Sequence, residues 1–363
     1  MHCSSAGEFE QGKPMVEALK KEYPAHKILV SFFSPSGFSV AQHYQFADYI
    51  VYLPLDTRRN ADRFLKAVKP ELVIFVKYEF WYHHLSAAAF HHIPLLLISA
   101  TFRKEQVFFK PYGRFFKQML FLFRHIFVQN TPSFNLLQYE GITHSTVGGD
   151  TRFDRVEKIA NTLEPIPAID NFLSGIKCIV AGSTWQEDEE ILREYWNSSQ
   201  YENLKLIIAP HEIHQQHLNQ IKSLFPQALF YSDISNNNNQ ANVLVIDNVG
   251  MLSRLYQYAT ITYVGGGFTK DGIHNILEAA VWGKPVIFGP NYKKYREASE
   301  LIEAGGGFSI SNTEQLKKLA DELLSDEQYL QTVSNNAKKY VIENTGATQR
   351  ILQFIQEKRL LTN

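Results

Sequence analysis

The sequence predicts an α/β protein made of two doubly wound halves that follow one another along the chain. Three observations predict it: short apolar runs alternate with helical patterns, the alternation stops at a polar passage, and it then starts again. Nearly continuous apolar runs are typical of parallel strands covered on both faces. With 363 residues, 45% of them hydrophobic, the chain can fill two cores of ordinary size.

The alternation places five strands in each half. They are residues 27–33, 49–55, 71–76, 94–100 and 125–130, then 177–183, 204–210, 242–248, 260–266 and 285–290. A helix over 58–70 is predicted from an apolar stripe that ends at Pro70. We interpret the polar, proline-containing residues 150–170 as a linker, and the polar loop 232–240 carries no functional prediction.

These patterns predict domains over 1–158 and 159–345, and a carboxyl-terminal helix within 346–363 that packs back toward the first domain. The charges balance at 36 Lys plus Arg against 37 Asp plus Glu, so the chain has no general attraction for nucleic acid. Cys3 and Cys178 form no metal or disulfide spacing, and we interpret both as inert thiols. No apolar run reaches about 18 residues, so no membrane span or secretion signal is predicted.

The residues that carry most chemistry are GGGFTKDGIHNILEAAVWGKPVIFGP, 265–290, directly after a predicted strand. Gly265, Gly266 and Gly267 could present backbone N–H groups to an anion, or could instead serve a tight turn and close packing. A helix predicted to start near His274 and Asn275 would point its positive end at the same space. The pattern predicts nucleotide binding.

This segment resembles the donor-binding segment of GT-B glycosyltransferases, and most of all that of the transferases of 3-deoxy-D-manno-octulosonic acid (Kdo) in lipopolysaccharide synthesis. Residues 2–14, 52–81, 148–156 and 181–190 are similar to the same family, in consistent order over nearly the whole chain. The resemblance implies a GT-B fold, with two Rossmann-like domains facing across a cleft. It also implies inverting transfer of Kdo from CMP-Kdo to the lipid A precursor.

Glu8, in the opening stretch HCSSAGEFEQGKP, matches the general base of this family, and Ser5 and Gly7 match beside it. A carboxylate there would accept the proton of the attacking hydroxyl. The alternative is that Glu8 only caps its helix. We interpret Glu10 as a solvated residue. Glu79, after the third strand, is predicted to bind acceptor or support the base, with packing or capping as the alternative.

Donor-side roles are implied in the same way. Ser183 and Thr184 would hold phosphate or the Kdo carboxylate, and Lys270 would neutralise the leaving group unless it is simply solvated. The resemblance assigns the ribose to Asn275 and Glu278. Pro210 and His211 match a motif beside the base. His211, His214 and His217 lack the spacing of a zinc helix, so we expect transfer that needs no metal or cofactor, with CMP-Kdo as donor substrate.

The segment 103–125 carries a local charge of +5, six basic residues minus Glu105. Its basic residues are Arg103, Lys104, Lys110, Arg114, Lys117 and Arg124, and seven aromatic residues lie among them: Phe108, Phe109, Tyr112, Phe115, Phe116, Phe121 and Phe123. We predict that this surface, with Arg103, Lys110 and Arg114, receives the lipid acceptor on the anionic cytoplasmic face of the bacterial inner membrane. A core helix with a basic outer face is the alternative, and nucleic-acid stacking is disfavoured by the donor motif.

The family has a hydrophobic anchor and a first strand ahead of this His, where the present sequence has Met1 alone. We therefore expect either a start upstream or an amino-terminal sheet that lacks an inner strand and exposes its edge. Two other functions stay open at this point. One is a nucleotide-sugar 2-epimerase of the GT-B fold, and the other is an inactive homologue that only binds nucleotide.

Overall fold

The computed structural model describes residues 1–78, 80–162, 164–199, 201, 203–236 and 241–362. The described chain divides into two compact units. The first unit contains Met1–Arg155 and Asn344–Asn363, and the second contains Val156–Glu343. The boundaries predicted from sequence, 158 and 345, lie close to these positions.

The first unit is built on parallel strands with helices between them. Its strands are β1 (Leu29–Phe32), β2 (Tyr49–Tyr52), β3 (Val73–Val76), β4 (Leu95–Ala100), β5 (His125–Val128) and β6 (Ser145–Val147). Its helices are α1 (Ala6–Glu22), α2 (Pro35–Ala41), α3 (Arg58–Val68), α4 (Tyr82–Phe90), α5 (Arg114–Leu120), α6 (Thr131–Tyr139) and α7 (Thr151–Asn161), which continues into the second unit. All six residues of β4 are buried, as expected for a strand covered on both faces.

The second unit contains one parallel sheet of order β13-β12-β11-β7-β8-β10-β9. Its strands are β7 (Lys177–Thr184), β8 (Leu204–Pro210), β9 (Leu229–Phe230), β10 (Val243–Val245), β11 (Ile261–Val264), β12 (Val286–Phe288) and β13 (Gly307–Ser309). Its helices are α8 (Pro167–Leu173), α9 (Gln186–Ser198), α10 (Gln215–Leu224), α11 (Leu252–Leu255), α12 (Leu277–Ala280), α13 (Arg296–Glu303), α14 (Thr313–Ser325) and α15 (Glu327–Glu343). The predicted α/β class is confirmed.

The last helix, α16 (Ala347–Glu357), belongs to the first unit. Its buried residues Ile351, Leu352 and Ile355 join the core formed by α1, β1 and β3. The Asp154 carboxylate accepts hydrogen bonds from the backbone N–H and the hydroxyl of Thr348, both at 2.6 Å, at the start of α16. Asp154 lies on α7, so the passage that we interpreted as a linker is largely helical.

The first three residues occupy the inner position of the first unit's sheet. The His2 N–H donates to Ile74 O at 2.8 Å, and the Cys3 N–H donates to Ser31 O at 3.0 Å. These bonds bridge β1 and β3, so the edge expected to be exposed is paired along this short stretch. Beside it lies a cavity of about 540 Å³, lined largely by apolar side chains such as Leu29, Phe64 and Ile74.

Acid should destabilise the first unit through His2, which is buried between these strands. Burial, the nearby amino terminus and His84 lower the pKa of His2 to about 3, against 6.5 when unperturbed. The folded state therefore holds the neutral ring, and its stability is lost as pH falls below 6.5 toward 3. Between pH 7.5 and 5, we expect a loss of about 2 kcal/mol from this group, measured by urea unfolding.

The control is His43→Gln, which removes an exposed histidine and should leave the pH dependence unchanged. His2→Asn should flatten the dependence. Should this variant fold poorly, NMR of the unaltered protein decides, because the His2 ring should not titrate above about pH 4. A His2 ring that titrates near pH 6.5 would contradict the prediction.

Candidate functional site

The residues predicted to bind the donor lie at the carboxyl ends of β11, β7 and β8, which are neighbours in the second unit's sheet. The glycine segment follows β11, Ser183 and Thr184 end β7, and His211 follows β8. Ligands of open α/β sheets bind at this edge. The structure thus brings together residues that are up to about 90 positions apart in the sequence.

Two of the three glycine amides are engaged within the protein. The Gly265 N–H donates to Gly182 O at 2.9 Å, and the Gly266 N–H donates to the Asp188 carboxylate at 2.8 Å. Gly266 has φ of 88°, and a Cβ on Gly265 would lie 2.3 Å from Ser183 O. The glycines therefore allow close packing, which was the alternative interpretation. The N–H groups of Gly265 and Gly266 donate within the protein and are not available to the predicted anion site.

Asp188, near the start of α9, holds this segment in place. Its carboxylate accepts hydrogen bonds from the Tyr263 hydroxyl at 2.6 Å and the Trp185 N–H at 3.0 Å, besides that from Gly266. Burial raises the pKa of Asp188, and the three donors act in the opposite direction. Asp188 was not predicted from sequence, since nothing in QEDEE distinguishes the buried acids Asp188 and Glu189 from their exposed neighbours.

The side chain of Thr184 is fully buried, so its hydroxyl is engaged within the protein. Its hydroxyl donates to Glu189 Oε1 at 2.8 Å, and Glu189 Oε2 lies 3.0 Å from His217 Nε2. His214 caps α10, its Nδ1 accepting the His217 N–H at 3.1 Å. Ser183, by contrast, is half-buried with φ of 53°, an uncommon conformation for a serine.

A stack of three aromatic rings stands at this edge. The centroids of His211 and His274 are 4.2 Å apart, and those of Trp185 and His211 are 4.9 Å apart. The Trp185 Nε1–H donates to His274 Nε2 at 3.0 Å. Pro210 ends β8 and brings His211 to the stack. Trp185 was missed from sequence, because a tryptophan after a strand carries no motif of its own.

The helix expected near His274 is the four-residue α12, which begins at Leu277. A helix of four residues does not supply the positive helix end that the sequence predicts near His274. The Asn275 side chain accepts the Leu277 N–H at 3.2 Å and donates to Glu278 Oε1 at 3.0 Å, so these two residues do lie together. Lys270 is exposed in the loop before them.

Glu8 is half-buried in the first turn of α1, a 17-residue helix. The Ser5 hydroxyl donates to its carboxylate. Gly7 is exposed, and a Cβ there would meet only Ser5 Oγ, at 3.8 Å. Glu10 is not simply solvated, because it pairs with Lys13 and with Arg155, the latter at 2.7 Å. Glu79 lies outside the described residues.

The basic segment divides into core and surface. Phe108 and Phe123 are buried, whereas Tyr112, Phe115, Phe116 and Phe121 are exposed. Arg103 and Arg114 are exposed, while Lys117 pairs with Glu140 at 2.6 Å. A cavity of about 350 Å³ is lined by Lys110, Arg114 and Lys117 together with Phe108, Phe109, Pro111 and Glu140. Among the described residues, no helix has the length and apolarity to cross a membrane.

The fold is the GT-B fold, which glycosyltransferases and nucleotide-sugar epimerases share. UDP-GlcNAc 2-epimerase from Neisseria meningitidis, solved with UDP-GlcNAc, has a TM-score of 0.67 and 18% identity over 98% of both chains. At this identity the likeness concerns the fold alone. The predicted GT-B fold is confirmed.

Sequence similarity identifies the family. The family model of 3-deoxy-D-manno-octulosonic-acid transferase (kdotransferase) matches residues 1–155. The 3-deoxy-D-manno-octulosonic acid transferase of Aquifex aeolicus is 30% identical over 336 residues, covering 90% of this chain and 85% of that protein. The Haemophilus influenzae protein of the same name is 25% identical, and the match covers 98% of this chain and 86% of that protein. The chain belongs to the Kdo transferase family and is a glycosyltransferase.

Proposed function

We propose that this protein transfers Kdo from CMP-Kdo to a hydroxyl of the lipid A precursor, with inversion and with Glu8 as general base. The observation that carries the proposal is the environment of Glu8. Its carboxylate is held by Ser5, it is partly open to solvent, and the exposed Gly7 leaves space beside it. Since packing does not require a glycine at position 7, the missing side chain would leave room for an acceptor.

In the proposed reaction, the acceptor oxygen attacks the anomeric carbon of Kdo while its proton passes to the Glu8 carboxylate. The bond between that carbon and the phosphate oxygen breaks, and CMP leaves with the electron pair. Attack and departure on opposite faces give inversion. Capping of α1 by Glu8 is compatible with this role, because a carboxylate in the first turn is favoured by the helix dipole.

The second unit would hold the donor at the carboxyl edge of its sheet. Asn275 and Glu278, already paired with each other, would receive the ribose, and Ser183 and His211 face the same edge of the sheet. The exposed Lys270 would neutralise the departing phosphate. We propose that neither metal nor cofactor takes part, since charged and polar side chains suffice for this stabilisation.

The acceptor would approach the first unit through the segment 103–125. Exposed aromatic rings at Tyr112 and Phe115 accompany the exposed Arg103 and Arg114, a combination suited to an anionic lipid surface. The 350 Å³ cavity adds Lys110 at the same place. We therefore propose peripheral contact with the anionic inner membrane surface and binding of a phosphorylated lipid.

Reversing two of these charges should weaken membrane association. For Arg103→Glu with Arg114→Glu, we expect binding to vesicles containing phosphatidylglycerol to fall by roughly 10-fold or more at low salt, since each basic residue contributes about 1 kcal/mol. Sedimentation with vesicles measures this. Lys318→Glu reverses one charge at an exposed position of α14; it is the control and should bind as the unaltered protein does. Equal binding by all three proteins would contradict the docking surface.

The test of the proposed function is a transfer assay with CMP-Kdo and tetraacylated lipid A precursor in detergent, followed by product mass. The expected result is a lipid heavier by whole Kdo units together with release of CMP. A parallel incubation with UDP-GlcNAc should return it unchanged, since the curated relatives described above are transferases. CMP-Kdo left intact in the presence of acceptor would overturn the proposal.

A further inference from the structure

The bond between Trp185 and His274 fixes where the proton of the His274 ring lies. An indole N–H can only donate a hydrogen bond, so the His274 Nε2 at 3.0 Å must be the acceptor. A ring that accepts at Nε2 is neutral and carries its proton on Nδ1. Among the described residues, no group accepts a hydrogen bond from that Nδ1.

The surroundings of the ring also favour the neutral form. The His211 ring stacks on it with an angle of 26° between the planes. Burial, and secondarily His211, lower the pKa of His274 to about 4, and Asp271 acts in the opposite direction. Protonation of Nε2 would in addition break the bond from Trp185. His274 is therefore a neutral donor at physiological pH rather than an acid.

The position of the ring is fixed by backbone as well. The His274 N–H donates to Gly265 O at 3.1 Å, which ties it to the glycine segment after β11. Trp185 precedes α9 directly, and its own N–H is held by Asp188 at 3.0 Å. The pair therefore connects the loops that follow two adjacent central strands, at the edge where nucleotides bind in such sheets.

We propose that Trp185 is a positioning residue that holds His274 as its Nδ1–H tautomer, and that this N–H donates to a phosphoryl oxygen of the bound nucleotide. The proposal rests on the proposed function for the identity of the nucleotide. A fixed, uncharged donor can stabilise charge on that oxygen as it develops, and no proton is transferred. Trp185 acts only through His274.

The first measurement is the tautomer, read from long-range ¹H–¹⁵N correlations of the histidine rings at pH 7 in the full chain. His274 should carry its proton on Nδ1. Trp185→Phe keeps an aromatic ring but removes the N–H, so the proton should redistribute toward Nε2. Trp282→Phe is the matched control, since the Trp282 Nε1–H donates to Ser253 O at 2.8 Å. It should leave the His274 signals unchanged.

The second measurement is the binding of CMP and of cytidine by calorimetry. Trp185→Phe should lower the affinity for CMP by about 5- to 10-fold and leave the affinity for cytidine unchanged, because only CMP has the phosphate. Trp282→Phe should change neither. A proton on Nε2 in the unaltered protein, or equal losses for CMP and cytidine, would overturn the inference. Either result can occur while Kdo transfer proceeds, so it is distinguishable from failure of the proposed function.

Discussion

Replacing Glu8 with glutamine should lower turnover by about 10²- to 10⁴-fold while leaving CMP-Kdo binding nearly intact. The amide has the size of the carboxylate and can still accept the hydrogen bond from Ser5. It cannot accept the proton of the attacking hydroxyl, so the loss should fall on the chemical step. Single-turnover kinetics with saturating donor would measure it, with donor affinity measured separately.

Glu10→Gln is the matched control, because Glu10 lies on the same helix and also carries a carboxylate. Its partners are Lys13 and Arg155, so its loss should affect stability slightly and turnover by less than about twofold. If Glu8→Gln and Glu10→Gln transfer Kdo equally well, Glu8 has no role as base. Its place in the first turn would then reflect capping alone.

Replacing Asp188 with alanine should lower the free energy of unfolding of the second unit by about 3 to 5 kcal/mol. Three donors, the Gly266 and Trp185 N–H groups and the Tyr263 hydroxyl, would lose their acceptor together. Hydrogen exchange of amides in β7 and β11 measures this locally. The glycine segment should also loosen, so CMP affinity should fall with stability.

Glu187→Ala serves as the comparison for Asp188→Ala, since Glu187 precedes Asp188 and is exposed. Glu187→Ala should change the free energy of unfolding, measured by the same hydrogen exchange, by no more than about 0.5 kcal/mol. Asp188→Asn should give an intermediate loss, because an amide oxygen can still accept hydrogen bonds from backbone N–H groups. If the amides of β7 and β11 are equally protected from hydrogen exchange in Asp188→Ala and in Glu187→Ala, Asp188 does not organise the glycine segment.

The strands were predictable because strands buried on both faces consist of nearly continuous apolar residues. Predicted runs such as 94–100 and 204–210 coincide with β4 and β8 within a residue. Short edge strands such as β6 and β9 were missed, since two or three residues cannot establish a period. The polar composition of 150–170 predicts a linker, because the role of Asp154 depends on its hydrogen bonds to the distant α16.

The site was predictable in its location but less so in its contacts. The position of the glycines at the end of a strand indicated the correct edge of the sheet. Whether an amide is presented to a ligand or satisfied within the protein depends on residues such as Asp188, which is 78 positions from Gly266. The burial of Thr184 likewise follows from packing around Glu189 and His217, which no local pattern encodes.

The division of the chain has a consequence for its synthesis. The first unit needs α16 for its core, yet the whole second unit, Val156–Glu343, is translated between its two parts. At roughly 5–20 residues per second, translation of the second unit alone delays α16 by about 10 to 40 s after the first part of the first unit is complete. The second unit, encoded without interruption, can complete its fold first. Nascent chains should therefore expose an apolar face of the first unit until the last helix emerges, which makes it a natural place for a chaperone to bind.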